Sequence, residues 1–218
     1  MKKITKLLVA GAALTAAMSA SATTISFDDL FSDVEGNGGG TLNLTQFDSS
    51  LGTLQSVQFE LVDKLTGFVQ VENTGPTGGT FVANMTGTLH SAFGDLNAVA
   101  NNTFVLPAYD KHLDFAGTSG VTYDIGQVSQ TYSNTYTGAP ELLLFTGNGA
   151  VQVAVTGEVT PYSHGSGNAS YYSEGTIDAY AKVTYTYQTA PVPEPETYAM
   201  LLTGLGLMGA VLRKRKAS

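Results

Sequence analysis

The chain has no cysteine and no tryptophan, and between its two ends it has almost no positive charge. Without cysteine no disulfide can staple a small fold, so the chain must hold itself together with a sizeable hydrophobic core. Seven of the ten Lys and Arg residues sit in the terminal segments, leaving only Lys64, Lys111 and Lys182 in the body. From Thr23 to Pro193 sixteen carboxylates face those three cations, a balance of minus thirteen against minus eight for the whole chain. Such a surface repels polyanions, which argues against nucleic acid and anionic lipid as partners of the body. The same acidity suits a soluble exported protein and is compatible with divalent cations, cationic surfaces or neutral glycans.

The terminal cations frame two apolar segments. Lys2, Lys3 and Lys6 precede an apolar run from Leu7 to Met18, and Ala20-Ser21-Ala22 then offers the small residues a signal peptidase requires. The run is too short to span a bilayer comfortably, so cleavage after Ala22 is expected, with the mature chain beginning at Thr23. At the other end, Tyr198 to Leu212 carries no charge. As a helix it extends about 22 Å, less than the roughly 30 Å of a hydrocarbon core, so it spans only where the bilayer thins. Arg213, Lys214, Arg215 and Lys216 would stay cytoplasmic and leave the body outside. Pro191, Pro193 and Pro195 keep that helix from running back into the body and hold an extended spacer beside the membrane.

Val192-Pro193-Glu194-Pro195, followed by an apolar helix with Gly204, Gly206 and Gly209 and then by the basic cluster, resembles a PEP-CTERM sorting signal. The resemblance implies transient insertion in the inner membrane of a Gram-negative bacterium that makes extracellular polysaccharide. It also implies recognition by a membrane-embedded exosortase, which removes the tail. A permanent single-span anchor is the competing reading.

The body reads as strands. Val57, Phe59 and Leu61 alternate with Gln58 and Glu60, the period of a half-buried strand. Phe81, Ala83, Met85 and Leu89 alternate with Asn84, Thr86, Thr88 and His90; Val151, Val153, Val155 and Val159 with Gln152, Thr156 and Glu158; and Ile177, Ala179, Ala181, Val183 and Tyr185 with Asp178, Lys182 and Thr184. Turn-forming clusters fall at 36–40, 73–79, 146–149 and 165–168. No helical stripe appears in the body, and the pattern predicts an all-β fold, an antiparallel β-sandwich. The expected organisation is a signal peptide over 1–22, the sandwich over 23–188, a proline-rich spacer over 189–197, a short transmembrane sorting helix over 198–212 and a basic cytoplasmic tail over 213–218.

FDSSLGTLQSVQFEL, Phe47 to Leu61, and VQVENTGPTGGTFVANMTGTL, Val69 to Leu89, resemble the choice-of-anchor E domain. That family implies a surface-associated β module whose mode of attachment varies. It brings no catalytic residues.

Chemistry is sparse in the residues themselves. His90 falls on the polar face of its strand and His164 in a turn region. Asp110, His112 and Asp114 would share one face if Asp110-Lys111-His112-Leu113-Asp114 were extended, but a solvated loop after Pro107 is the preferred reading. Asp33, Glu35, Asn37 and Gly38 match the first half of an oxygen-ligand calcium loop, whose twelfth position is Leu44 where glutamate is needed. Tyr171, Tyr172 and Tyr180 could stack on a sugar, whereas tyrosines such as Tyr185 and Tyr187 are expected to pack across the sheet. The sequons at Asn43, Asn84, Asn101 and Asn168 are ambiguous in so Asn- and Thr-rich a chain. No G-x-S-x-G, H-E-x-x-H or phosphate loop is present. The expectation is therefore a noncatalytic protein without metal or cofactor, handled by signal peptidase and exosortase and associated with exopolysaccharide. A secreted hydrolase acting on matrix polysaccharide is the alternative.

Overall fold

The computed structural model describes residues 22–36, 38–189 and 195–216. The stretch Ala22–Gln188 is one compact unit built from strands β1 (Ala22–Phe31), β2 (Gly40–Thr45), β3 (Thr53–Asn73), β4 (Gly79–Ser91), β5 (Gly94–Ala100), β6 (Thr103–Leu106), β7 (Gly120–Tyr136), β8 (Ala150–Gly165) and β9 (Ala169–Gln188). A short helix, α1 (Ala139–Leu144), precedes β8. Two antiparallel sheets form a sandwich, one in the order β1-β9-β3-β7 and the other β2-β8-β4-β5, with β6 pairing β4 beyond the end of β5.

Alternation places the core. Phe59, Leu61 and Leu65 of β3 and Ile177, Ala179 and Val183 of β9 line one inner face, opposed by Phe81, Met85 and Leu89 of β4 and Val153 and Val155 of β8, all buried. The four alternating runs of the sequence lie in these strands, and the turn clusters fall at the junctions between elements, overlapping strand ends at Gly40, Asn73, Gly79 and Gly165. β3 continues well past Leu61 because the period persists through Leu65, Val69 and Val71. Gly67 of β3 stands between Gly126 of β7 and Gly175 of β9. A Cβ at Gly67 would run into the Glu174 carbonyl, so glycine lets the central strands approach here, beside the bulge that follows Gly67.

β7 escapes period-two reading. Its core-facing residues are Ile125, Val128, Tyr132 and Tyr136, spaced by three and four. The bulge opposite Gly67 shifts the pleat, and β7 is an edge strand whose register is supplied by β3. The body does contain a helix, contrary to the expectation of none. With six residues α1 is too short to show a stripe, and Gly138 and Pro140 start it.

Ala22 is the first residue of β1 and pairs with Gln188, so strand pairing begins one residue before the expected mature terminus at Thr23. Ala20 and the rest of 1–21 lie outside the described residues.

Replacing Phe59 by Ala should lower unfolding stability by about 3–5 kcal/mol. Its outward neighbour Gln58→Ala should change it by less than about 0.5 kcal/mol, measured for both by urea unfolding.

Candidate functional site

Two regions carry the candidate functional residues: the tail, and the polar groups of the sandwich. In the tail, Val192, Pro193 and Glu194 lie outside the described residues. Pro195 begins a helix, α2 (Pro195–Lys216), that runs through the basic cluster. This corrects the expected helix bounds of 198–212. Proline suits the first helical turn, where its missing N–H is not needed, and a cationic last turn suits the helix dipole, so neither the spacer's end nor Arg213, Lys214, Arg215 and Lys216 interrupts the helix. Among the described residues no helix is long and apolar enough to cross a membrane, in keeping with the shortness of the uncharged run 198–212. Met200, Leu201, Leu202, Leu205, Leu207 and Met208 are all exposed on α2, and the run has no polar face.

In the body, Asp110 to Asp114 lies in the loop between β6 and β7. The Asp110 carboxylate accepts the His112 N–H at 3.0 Å and the Thr118 N–H at 3.3 Å, and Asp114 accepts the Ala116 N–H at 3.0 Å. Lys111 and Phe115 have φ of 75° and 53°, which breaks any extended face that Asp110, His112 and Asp114 would have shared. The His112 N–H, with smaller help from Thr118 and Ser119, holds the Asp110 carboxyl below its ordinary range. These carboxylates fold their own loop.

Beneath that loop the Ser119 hydroxyl donates to Glu72, which is fully buried and whose second oxygen has no partner. Glu72 sits on the outward parity of β3, so nothing in the strand pattern marks it as buried. Asp63 is different. It occupies the inward parity of Phe59, Leu61 and Leu65, and a carboxylate at an apolar position of a period-two run is a readable signal that the sequence analysis passed over. Asp63 is fully buried and accepts the N–H of Gln130 on β7. Burial raises its carboxyl above the ordinary range, opposed by backbone N–H bonds from Gln130 and from Ala98 on β5. The bond from Gln130 ties this buried position of β3 to the edge strand β7.

His90 is exposed and pairs through Nδ1 with Asp95 at 2.8 Å at the end of the β4–β5 hairpin, on the polar face as expected. His164 lies near the end of β8 rather than in a turn, with its ring 5.3 Å from that of Tyr162. The strand extends past Pro161 because β4 continues to pair it through Gly165. In the incomplete calcium loop, Asp33 accepts the Gly36 N–H at 3.0 Å, and Asn37 lies outside the described residues. No cluster of three or more His, Asp or Glu side chains able to hold a metal occurs among the described residues.

The three tyrosines do not form one platform. Tyr171 packs against the core with a buried hydroxyl that lacks a partner. Tyr172 is exposed and donates to Glu174 at 3.0 Å. Tyr180, eight residues further along β9, lies beneath the Lys64 ammonium at 4.8 Å. Tyr185 and Tyr187 pack on Phe47 at 5.7 and 5.1 Å between ring centroids, and Tyr185 donates to the Thr45 carbonyl at 2.7 Å. A cleft of about 230 Å³ opens between β8 and β9, lined by Met85, Val159 and Pro161 with Glu35 and Glu174 at its rim.

A family model described as the PEP-CTERM protein-sorting motif matches residues 191–216. The tail carries a PEP-CTERM sorting motif. The motif indicates an exported protein recognised by an exosortase, with a cell-surface or extracellular location in Gram-negative bacteria. No curated protein matches the chain. Solved structures similar to it include a chain of Desmodium yellow mottle tymovirus, at 12% identity over 89% of this chain and 97% of that one, with a TM-score of 0.19. Another comes from the T13 IBDV viral particle, at 13% identity over 92% of this chain and 52% of that one, with a TM-score of 0.21. The chain spans about half the length of the latter, and superpositions this loose establish no common fold.

The Asp63 carboxyl has a sign to test. Its folded value is raised, so the folded chain binds the proton more tightly than the unfolded chain does. Its contribution is complete below the ordinary carboxylate range and declines as pH rises through the raised folded value. Denaturant midpoints measured from about pH 3 to pH 7 should show this fall, and Asp63→Asn should flatten that part of the profile.

Proposed function

We propose that this is an exported, noncatalytic surface or extracellular-matrix protein. A signal peptidase trims it after Ala22, an exosortase removes its tail, and the released body associates with exopolysaccharide in a biofilm. The sorting-motif match over 191–216 carries the reading. The exposed apolar residues of α2 support it further, since a helix with no polar face finds its stable setting in lipid or in another protein. In this reading α2 holds the precursor transiently at the inner membrane, where local thinning accommodates its short apolar run.

The body's chemistry favours a passive role. Asp110 and Asp114, the densest acidic group, are engaged by N–H groups of their own loop, and His90 faces solvent beside Asp95. A general base needs a carboxylate or imidazole aimed at a substrate position. The resemblance of Phe47–Leu61 and Val69–Leu89 to choice-of-anchor E domains supports a module presented at the surface. Shallow contacts with polysaccharide gain strength when many copies are displayed together.

Terminal peptide mass spectrometry on protein from a host that carries the exosortase should find Thr23 at the start and no RKRKAS terminus. Replacing Pro193, Glu194 and Pro195 by alanine should leave the unprocessed chain in the inner membrane, and normal release of that variant would overturn the sorting reading.

Purified protein should leave polysaccharide chain length unchanged. Depolymerisation that disappears in Asp110→Asn or His112→Ala would establish the hydrolase instead.

A further inference from the structure

Leu143 and Leu144 are 72% and 69% exposed on α1, although their helix is firmly fixed to the sandwich. Phe145, which follows them, is buried and its carbonyl accepts the Phe47 N–H at 2.8 Å. Gln46 donates to the Leu144 carbonyl at 3.0 Å. The Phe47 ring in turn meets that of Tyr187 at 5.1 Å. Tyr187 is the penultimate residue of β9, and Gln188 pairs with both Ala22 and Thr53. The leucines therefore project at the end of the body from which the chain leaves. Leu51, in the short 3-10 turn Ser49–Leu51 just before Thr53, is 41% exposed at the same end.

We infer that Leu143 and Leu144 form a lipid-contacting foot that seats the body on the bilayer surface while the precursor is tethered by its tail. The inference rests on the sorting reading above. Six residues, 189 to 194, separate Gln188 from Pro195. Six extended residues reach at most about 20 Å, so a surface that holds α2 meets this end of the body before any other. Asp48 caps the turn that holds Leu51 and Glu141 lies in α1 itself; both are acidic, so the contact is apolar and suits zwitterionic lipid. Two leucines bind a bilayer weakly on their own, and the tether makes the contact effective by keeping its local concentration high. Once the tail is cut, the same weakness lets the body leave.

The absence of cysteine makes the test clean. Leu143→Cys, Leu205→Cys and Leu113→Cys variants of the full precursor are each labelled with an environment-sensitive fluorophore in phosphatidylcholine vesicles that carry brominated acyl chains. Leu113 is 58% exposed in the loop that precedes β7, at the opposite end of β3 from Thr53, and serves as the control. Quenching is expected at positions 205 and 143 and not at 113. Quenching at 205 with none at 143 would overturn the foot and leave the sorting reading standing. Equal quenching at 143 and 113 would also overturn it, since contact would then not be confined to one end. No quenching at 205 would overturn the membrane tether on which the inference rests.

Discussion

β3 and β9 pair along their whole lengths, from Thr53 opposite Gln188 to Asn73 opposite Ala169, and the rest of the sandwich is arranged about that ladder. β7 adds to the free side of β3, β1 adds to the last half of β9, and the inner faces of the two long strands provide the surface on which the second sheet packs. Alternation on both strands fixes the register, because a slip of one residue would turn Phe59, Leu61, Ile177 and Val183 outward together. The partners are far apart in sequence and no disulfide holds them near one another. A fold dominated by such nonlocal pairings forms slowly, since the loop between the strands must close before their contacts are gained.

Two buried carboxylates show how β3 is tied to its surroundings. Asp63 reaches β7 and β5 at the edge where the sheets come together, and Glu72 accepts the hydroxyl of Ser119 under the loop that leads into β7. Each leaves one oxygen without a partner. Leucine at either place would be easier to bury but would lose a directional contact. Both groups fasten β7, an edge strand whose own apolar residues are few and irregularly spaced.

What the sequence made legible follows from whether a signal was local. The strands around Phe59, Met85, Val153 and Ala181 could be read because each carries its own period. The tail could be read because its three chemistries follow one another along the chain. β7 could not, since the bulge at its Gly126, where φ is 64°, changes which side chains face the core partway along the strand. Nor could the burial of Glu72, which depends on a loop more than thirty residues away in sequence. The tyrosines illustrate the same limit: Tyr171, Tyr172 and Tyr180 lie close in sequence, yet strand parity and the position of Lys64 give them three different environments. In the tail the uncharged run marks only the apolar middle of α2, which begins at Pro195 and continues through the basic cluster because proline and cations are both favoured at helix ends.

The point at which the chain leaves the sandwich also decides how the body carries load. Tension applied at Gln188 enters along the axis of β9, a strand of 20 residues bonded to β3 throughout and to β1 over its last half. A pull along the strand shears the flanking hydrogen bonds together instead of opening them one after another from an end. When the far end of the sandwich is held, the ladder that runs the full length of β3 and β9 therefore lies directly in the line of force.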